Sequence, residues 1–352
     1  MKKNANNSFT KKLIFQIKDD ALLKNIIKYT NKINIKCKIN YNLIIFFNFI
    51  ILFLCISLSQ EISHLRKLNV MQEIVLTVNS GEIQILNNEF TSYPDKIYIN
   101  DVEFNNTEGE QTKKFTLGEG SNTIKLCYST APQCLKNMFK DLKGITKIDL
   151  SNFDTSNAYD MSHMFDNCED LKEINFTNFK TSSVTTMEYM FNNCKKIISL
   201  DLSSFITMSV NNMKYMFTAC EGLQYIDVSN FQTTSVTQMA LMFCDCRSLE
   251  SIDISNFQTI SPDMGGMFQY CLKLKSIKFS DTNKIGTSNI ASMFQDCWSL
   301  TSIDLSNFNL SASSSLEYLF DKCYNLISVN LSKLDTSSIN KFNNMFSDCQ
   351  KL

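Results

Sequence analysis

The chain has little of what catalytic and nucleic-acid-binding domains draw on. Its only arginines are Arg66 and Arg247, and its only histidines are His64 and His163. A body that grips nucleic acid needs a basic face, usually built with arginine, so no nucleic-acid partner is expected. No glycine-rich phosphate loop and no nucleophile motif occurs. Catalysis needs unlike groups converging on one pocket, and the sequence therefore reads as non-enzymatic, without cofactor or metal. Nine glycines and three prolines among 352 residues leave few flexible linkers. What is abundant is apolar: 44% hydrophobic against 20% charged residues excludes a chain disordered by composition.

The charge is uneven. The first forty residues carry ten lysines against Asp19 and Asp20, while the remainder is mildly acidic. No charge interrupts residues 39–60, and the run Leu43-Ile-Ile-Phe-Phe-Asn-Phe-Ile-Ile-Leu-Phe-Leu-Cys-Ile-Ser-Leu58 is just long enough to cross a bilayer as a helix. Two readings stand. Residues 41–59 are a signal anchor, with the lysine-rich residues 1–40 held in the cytosol, or they are a signal segment cleaved after Ser57-Leu58-Ser59. Both place the rest of the chain outside, at the cell surface as a single-pass protein or secreted. In a eukaryotic host, export makes the sequons at Asn105, Asn175, Asn309 and Asn330 candidate glycosylation sites.

Residues 60–134 read as a β-rich cap. Ile74–Val78, Glu82–Leu86, Ile97–Phe104 and Thr123–Cys127 are β-branched or alternating runs separated by turn-like clusters. Cys127 and Cys134, seven apart, are a candidate disulfide in an oxidising compartment.

From Leu135 to the end the chain repeats. Met-Phe-x-x-Cys recurs at Met164/Phe165/Cys168, Met190/Phe191/Cys194, Met216/Phe217/Cys220, Met242/Phe243/Cys246, Met267/Phe268/Cys271, Met293/Phe294/Cys297 and Met345/Phe346/Cys349, with Leu319/Phe320/Cys323 a near copy. Successive phenylalanines are 26 residues apart, except for 25 between Phe243 and Phe268. A period of this length marks a leucine-rich-repeat-like solenoid of about eight coils over 135–352. In each unit, alternation around residues such as Ile174 and Phe176 predicts a short strand. Thr181-Ser182-Ser183 predicts a turn and helix N-cap. Val184, Met187, Met190 and Cys194, at steps of three and four, predict one face of a short helix. The expected class is α/β: one strand, one turn and one short helix per coil, a parallel sheet on one side, a β-rich cap and an N-terminal hydrophobic helix. Helices packed ~8–10 Å apart would keep the cysteine column apart as buried thiols, with Cys244 outside it and exposed. Pro262 with Gly265-Gly266 would weaken one helix, giving a kink or local mobility there. The chain ends at Leu352 without a polar capping unit, so either it is a fragment or its last coil is exposed.

Ile148-Asp-Leu-Ser-Asn-Phe-Asp-Thr-Ser156 followed by Met161-Ser-His-Met-Phe-Asp-Asn-Cys168, with Ile226–Phe231, Ile252–Phe257 and Ile303–Phe308 repeating the first part, resembles the repeat of BspA-like leucine-rich-repeat surface proteins. The resemblance covers residues from about 124 to 352. It implies an extracellular, surface-exposed protein linked to adhesion to host or neighbouring cells.

The outward strand positions alternate with the core. They give a column of Asp149, Asn175, Asp201, Asp227, Asp253, Lys278, Asp304 and Asn330 beside one containing Ser203, Ser229 and Ser255. That acidic, hydroxyl-rich concave face is the candidate binding site for an extracellular protein or glycan, the protein through a cationic patch, or alternatively for Ca2+, which would need several oxygens converging on one point. The alternative is a solvated ladder in which Asp and Ser bond the backbone and each other. Anchored by 41–59, the same array also suits a receptor; left inside, an intracellular scaffold.

Overall fold

The computed structural model describes residues 71–104, 113–260, 262–280, 285–313, 315–332 and 334–352. The lysine-rich segment, the hydrophobic run 41–59 with its expected helix, and Asn105 lie outside these residues. No helix among the described residues is long and apolar enough to cross a membrane.

The chain from residue 71 starts in sheet. Strands β1 (Gln72–Val78), β2 (Gly81–Gln84), β3 (Lys96–Ile99), β4 (Val102–Glu103), β5 (Lys114–Leu117) and β6 (Asn122–Tyr128) precede the array, whose first strand is β7 (Ile145–Asn152). The expected single run over Ile97–Phe104 is a hairpin. Asn100 and Asp101 take φ of 47° and 63°, a two-residue turn that suits Asn and Asp and lets Ile99 pair with Val102. β2 and β5 pair with each other. The main sheet runs β4-β3-β6-β1-β7-β8, where β8 is Glu173–Asn175. β1 is antiparallel to both β6 and β7, with Leu76 opposite Ile148, whereas β7 and β8 are parallel. The segment before the array thus closes its first edge by strand pairing. Tyr128 meets Phe153 edge-on at 5.5 Å.

Beyond β8 the parallel side is built from short strands: β9 (Ser251–Asp253), β10 (Ser276–Lys278), β11 (Ile285–Gly286), β12 (Ser302–Asp304), β13 (Phe308–Asn309) and β14 (Ser328–Asn330). β9 pairs with β10, β11 with β13 and β12 with β14, all parallel and in register.

The expectation of a short helix in each coil is overturned, and with it the α/β class: no α-helix occurs among the described residues. The segment from Met161 to Cys168 is a chain of four-residue β-turns. Met164, Asp166 and Cys168 donate their N–H groups to Met161, His163 and Phe165, three residues back. The alternate N–H groups leave the coil, with His163, Phe165 and Asn167 donating to Glu188, Met190 and Asn192 of the next one. A helix keeps these bonds to itself; this ribbon spends half of them on its neighbour. The turns need a left-handed residue, and His163 (φ 57°) and Asn167 (φ 61°) supply it, as Tyr189 and Asn193 do one coil on. Turns repeating every few residues place Met161, Met164, Phe165 and Cys168 inward, which imitates helical periodicity. All four are buried.

The consequence for pitch is large. Rings of Phe139, Phe165, Phe191, Phe217, Phe243, Phe268, Phe294, Phe320 and Phe346 stack successively with centroids 5.3–6.1 Å apart. That is close to the ~4.8 Å between paired strands, not the ~8–10 Å between packed helices. The thickness difference that would make the strand face concave is therefore missing. The kink expected at Pro262 and Gly265-Gly266 is missing too: single-residue parallel bridges pass from Gln238 to Asp263 and on to Asn289. Gly266, at φ 60°, takes the left-handed turn position directly.

Thr181 is not an N-cap. At this corner Thr155, Thr181, Thr207 and Thr233 are buried, and each hydroxyl donates to a carbonyl of the next coil: Lys180, Ile206, Gln232 and Gln258. The N–H groups of the same four residues donate back to the hydroxyls. One side-chain oxygen thus replaces a rung of backbone pairing where the chain bends away.

Candidate binding faces of the array

The strand face is set by the alternation of core and solvent positions. Asp201, Asp227, Asp253 and Asp304 are exposed, and Asp149 is half-buried. Each of the five accepts the N–H of the residue two on: Ser151, Ser203, Ser229, Ser255 and Ser306. Ser203 and Ser229 are exposed and Ser255 is half-buried, so the serines act first as turn partners of the aspartates. Where the column departs from Asp, the replacement donates to the coil before it. Asn175 donates to Asp149 at 3.1 Å, Lys278 to Asp253 at 2.8 Å and Asn330 to Asp304 at 2.9 Å. Consecutive aspartates stand at Asp201, Asp227 and Asp253, the last of them bonded to Lys278.

These contacts favour the charged carboxylates. The Ser203 hydroxyl and N–H hold Asp201 below its usual range, and the Ser229 N–H and hydroxyl do so for Asp227 against the nearby charge of Asp253. Burial opposes ionisation of Asp149, but bonds from Ser151 and Asn175 and the charge of Lys147 outweigh it. Asp253, bonded to the Lys278 ammonium and to Ser255, is lowered to about 2.

Among the sequons, Asn309 and Asn330 are exposed and Asn175 is half-buried. The Asn175 and Asn330 amides, the atoms a glycan would join, already donate to aspartates. Cys127 is buried in β6 and Cys134 is half-buried at the bridge to Asp160; both are free thiols. The column cysteines are free as well. Cys168, Cys194, Cys220, Cys246, Cys271, Cys297, Cys323 and Cys349 each donate Sγ to the phenylalanine carbonyl of the coil before, from Phe139 through Phe320. Burial pushes Cys220 up to about 12. Cys244, expected outside, is also buried and pushed up to about 12.

The turn ribbon carries a second face that the sequence reading passed over. Residues flanking the column cysteines form two columns along the ribbon, exposed or half-buried except for the buried Asp296. The one after Cys runs Lys143, Glu169, Lys195, Glu221, Arg247, Leu272, Trp298 and Tyr324. Its first part alternates in charge, with Lys195 3.1 Å from Glu169 and Arg247 3.6 Å from Glu221. Its last part is apolar and aromatic. A third column, starting with the left-handed residues His163, Tyr189 and Tyr215, stacks its rings at 4.6 and 4.3 Å. His163 also lies 2.7 Å from Asp166. The signal for these columns was available as position relative to Cys. It is weak, because residue type changes along the column while its place does not.

No curated protein matches the chain. A family model described as "Mycoplasma protein of unknown function, DUF285" matches residues 133–257, 201–289 and 288–352, which together span the array and more than half of the chain. The chain therefore belongs to this DUF285 repeat family.

Proposed function

We propose that the array is a non-enzymatic binding surface of an exported protein, displayed at the cell surface or secreted, that engages protein or glycan partners in adhesion. The observation that carries the reading is how the coils use their side chains. Met, Phe, Cys and Thr columns hold coil to coil, and the remaining positions form in-register columns of exposed groups at strand spacing. Such surfaces suit extended partners. The Asp201–Asp227–Asp253 column is the part of the strand face best suited to a cationic partner. Replacing all three by lysine is expected to abolish binding to such a partner, measured on whole cells; unchanged binding would remove this face from the proposal.

A second reading, an intracellular scaffold, is favoured by the free state of the described cysteines, which fits a reducing compartment; an anchored receptor would share the outward display of the first reading. Protease treatment of intact cells separates the two. A tag after residue 352 that is cleaved from outside supports display; one reached only after permeabilisation supports the scaffold.

A further inference from the structure

The single tryptophan of the chain is 41% exposed, although the array buries phenylalanines in every coil before the last. Its indole N–H is satisfied internally, donating to Asp296 Oδ1 at 3.0 Å. Arg247 makes the same contact to Asp245, two residues back, at 2.7 Å. The polar end of Trp298 is thus fixed by its own coil, and what remains for a partner is the ring. One coil further, Tyr324 lies 5.7 Å from it with the planes at 53°. One coil earlier, the equivalent position is the half-buried Leu272. In the neighbouring column Tyr270, Asp296 and Lys322 occupy equivalent positions of the same three coils. Tyr270 is exposed and Lys322 half-buried.

Asp296 itself is 4% exposed, and its Oδ2 has no hydrogen-bond partner. A buried acceptor left without a partner is destabilising. A ligand that donates to this oxygen satisfies it; a purely hydrocarbon ligand does not. The patch therefore asks for a molecule with an apolar C–H face for the rings and hydroxyl groups at its rim. The central carboxylate disfavours an anionic one. A pyranose ring meets all three demands, since its hydroxyls both donate and accept and its C–H face packs on an aromatic ring.

We propose that Trp298, Tyr324 and Asp296 form a subsite for a neutral pyranose glycan. This rests on the array being a binding surface and names a ligand class and a place for it, away from the strand face.

Because Trp298 is the only tryptophan, its fluorescence reports this site alone. The full chain is titrated with neutral oligosaccharides of glucose, galactose, mannose and N-acetylglucosamine. A saturable change is expected for at least one. Glycan-array binding by that sugar is expected to fall at least tenfold in Trp298→Ala and in Tyr324→Ala and to persist in Trp298→Phe, while the Asp201/Asp227/Asp253→Lys variant binds as before. Thermal unfolding establishes that each variant is folded, and Tyr324→Ala decides if Trp298→Ala is not. No saturable change with any sugar overturns the subsite, as does undiminished binding by a folded Tyr324→Ala. Sugar binding lost only in the triple lysine variant overturns it in favour of the strand face. Partner binding through the strand face without any saccharide response overturns the subsite and leaves the proposed function standing.

Discussion

Single residues in this protein are judged by whether they serve the coil or the next coil. Thr207 serves both: it is fully buried, and its oxygen both accepts from the Gln232 N–H and donates to the Gln232 carbonyl. Thr207→Val keeps the shape but orphans two backbone groups, and a loss of about 2–4 kcal/mol in denaturant unfolding is expected. Thr207→Ser should retain most of the stability. Phe217, between Phe191 and Phe243 in the ring stack, is expected to cost about 3–5 kcal/mol on truncation to Ala by the same measurement. The strand-face aspartates give a pH dependence whose sign is fixed. Their folded pKa values are depressed, so the stability they contribute is present above the ordinary carboxylate value of 3.8 and is lost as pH falls through the lowered values, about 2 for Asp253. The melting temperature should drop between about pH 4 and pH 2. The drop should shrink in Asp201→Asn and Asp227→Asn, which can keep the bond to the serine N–H without titrating.

At the scale of elements, strands and core columns were legible because side-chain alternation and the 26-residue period name their positions directly. The turn ribbon was not. Val184, Met187, Met190 and Cys194 follow helical steps, and consecutive four-residue β-turns generate the same steps. The distinguishing cue lies in residues that tolerate a left-handed backbone, placed just before the column cysteine: Asn167, Asn193, Asp245, Asp296 and Asp348, all with positive φ. Their recurrence at one register position argues for turns, and apolar spacing alone cannot show it. The Trp298 platform was hidden for a related reason. Its neighbours in space are 26 residues away and share no residue type with it. The corner at β11 gives a sharper test of the observed packing. A Cβ on Gly286 would collide with the Ile260 carbonyl, and the Gly286 carbonyl accepts the Thr259 hydroxyl. Gly286→Ala is expected to lower the melting temperature by several degrees, whereas Gly118→Ala, with open space around it, should leave it nearly unchanged.

For the whole molecule, interchangeable coils predict that length is adjustable. Deleting residues 192–217, one period from Phe191 to Phe217, joins equivalent positions and preserves every column. This variant should unfold cooperatively with a modest loss of stability. Deleting 192–204 shifts the columns out of register, and circular dichroism should show it unfolded from the break onward. The coil-to-coil bonds also set how the molecule responds to load. Each coil is tied only to the coils beside it, by backbone rungs, threonine and cysteine side-chain bonds and stacked rings. Tension applied to the two ends of the array loads one end coil at a time rather than the full set. The chain would pay out in uniform lengths of about 90 Å, the extended reach of 26 residues. A tether built this way yields in steps while its remaining coils keep hold of whatever they have bound.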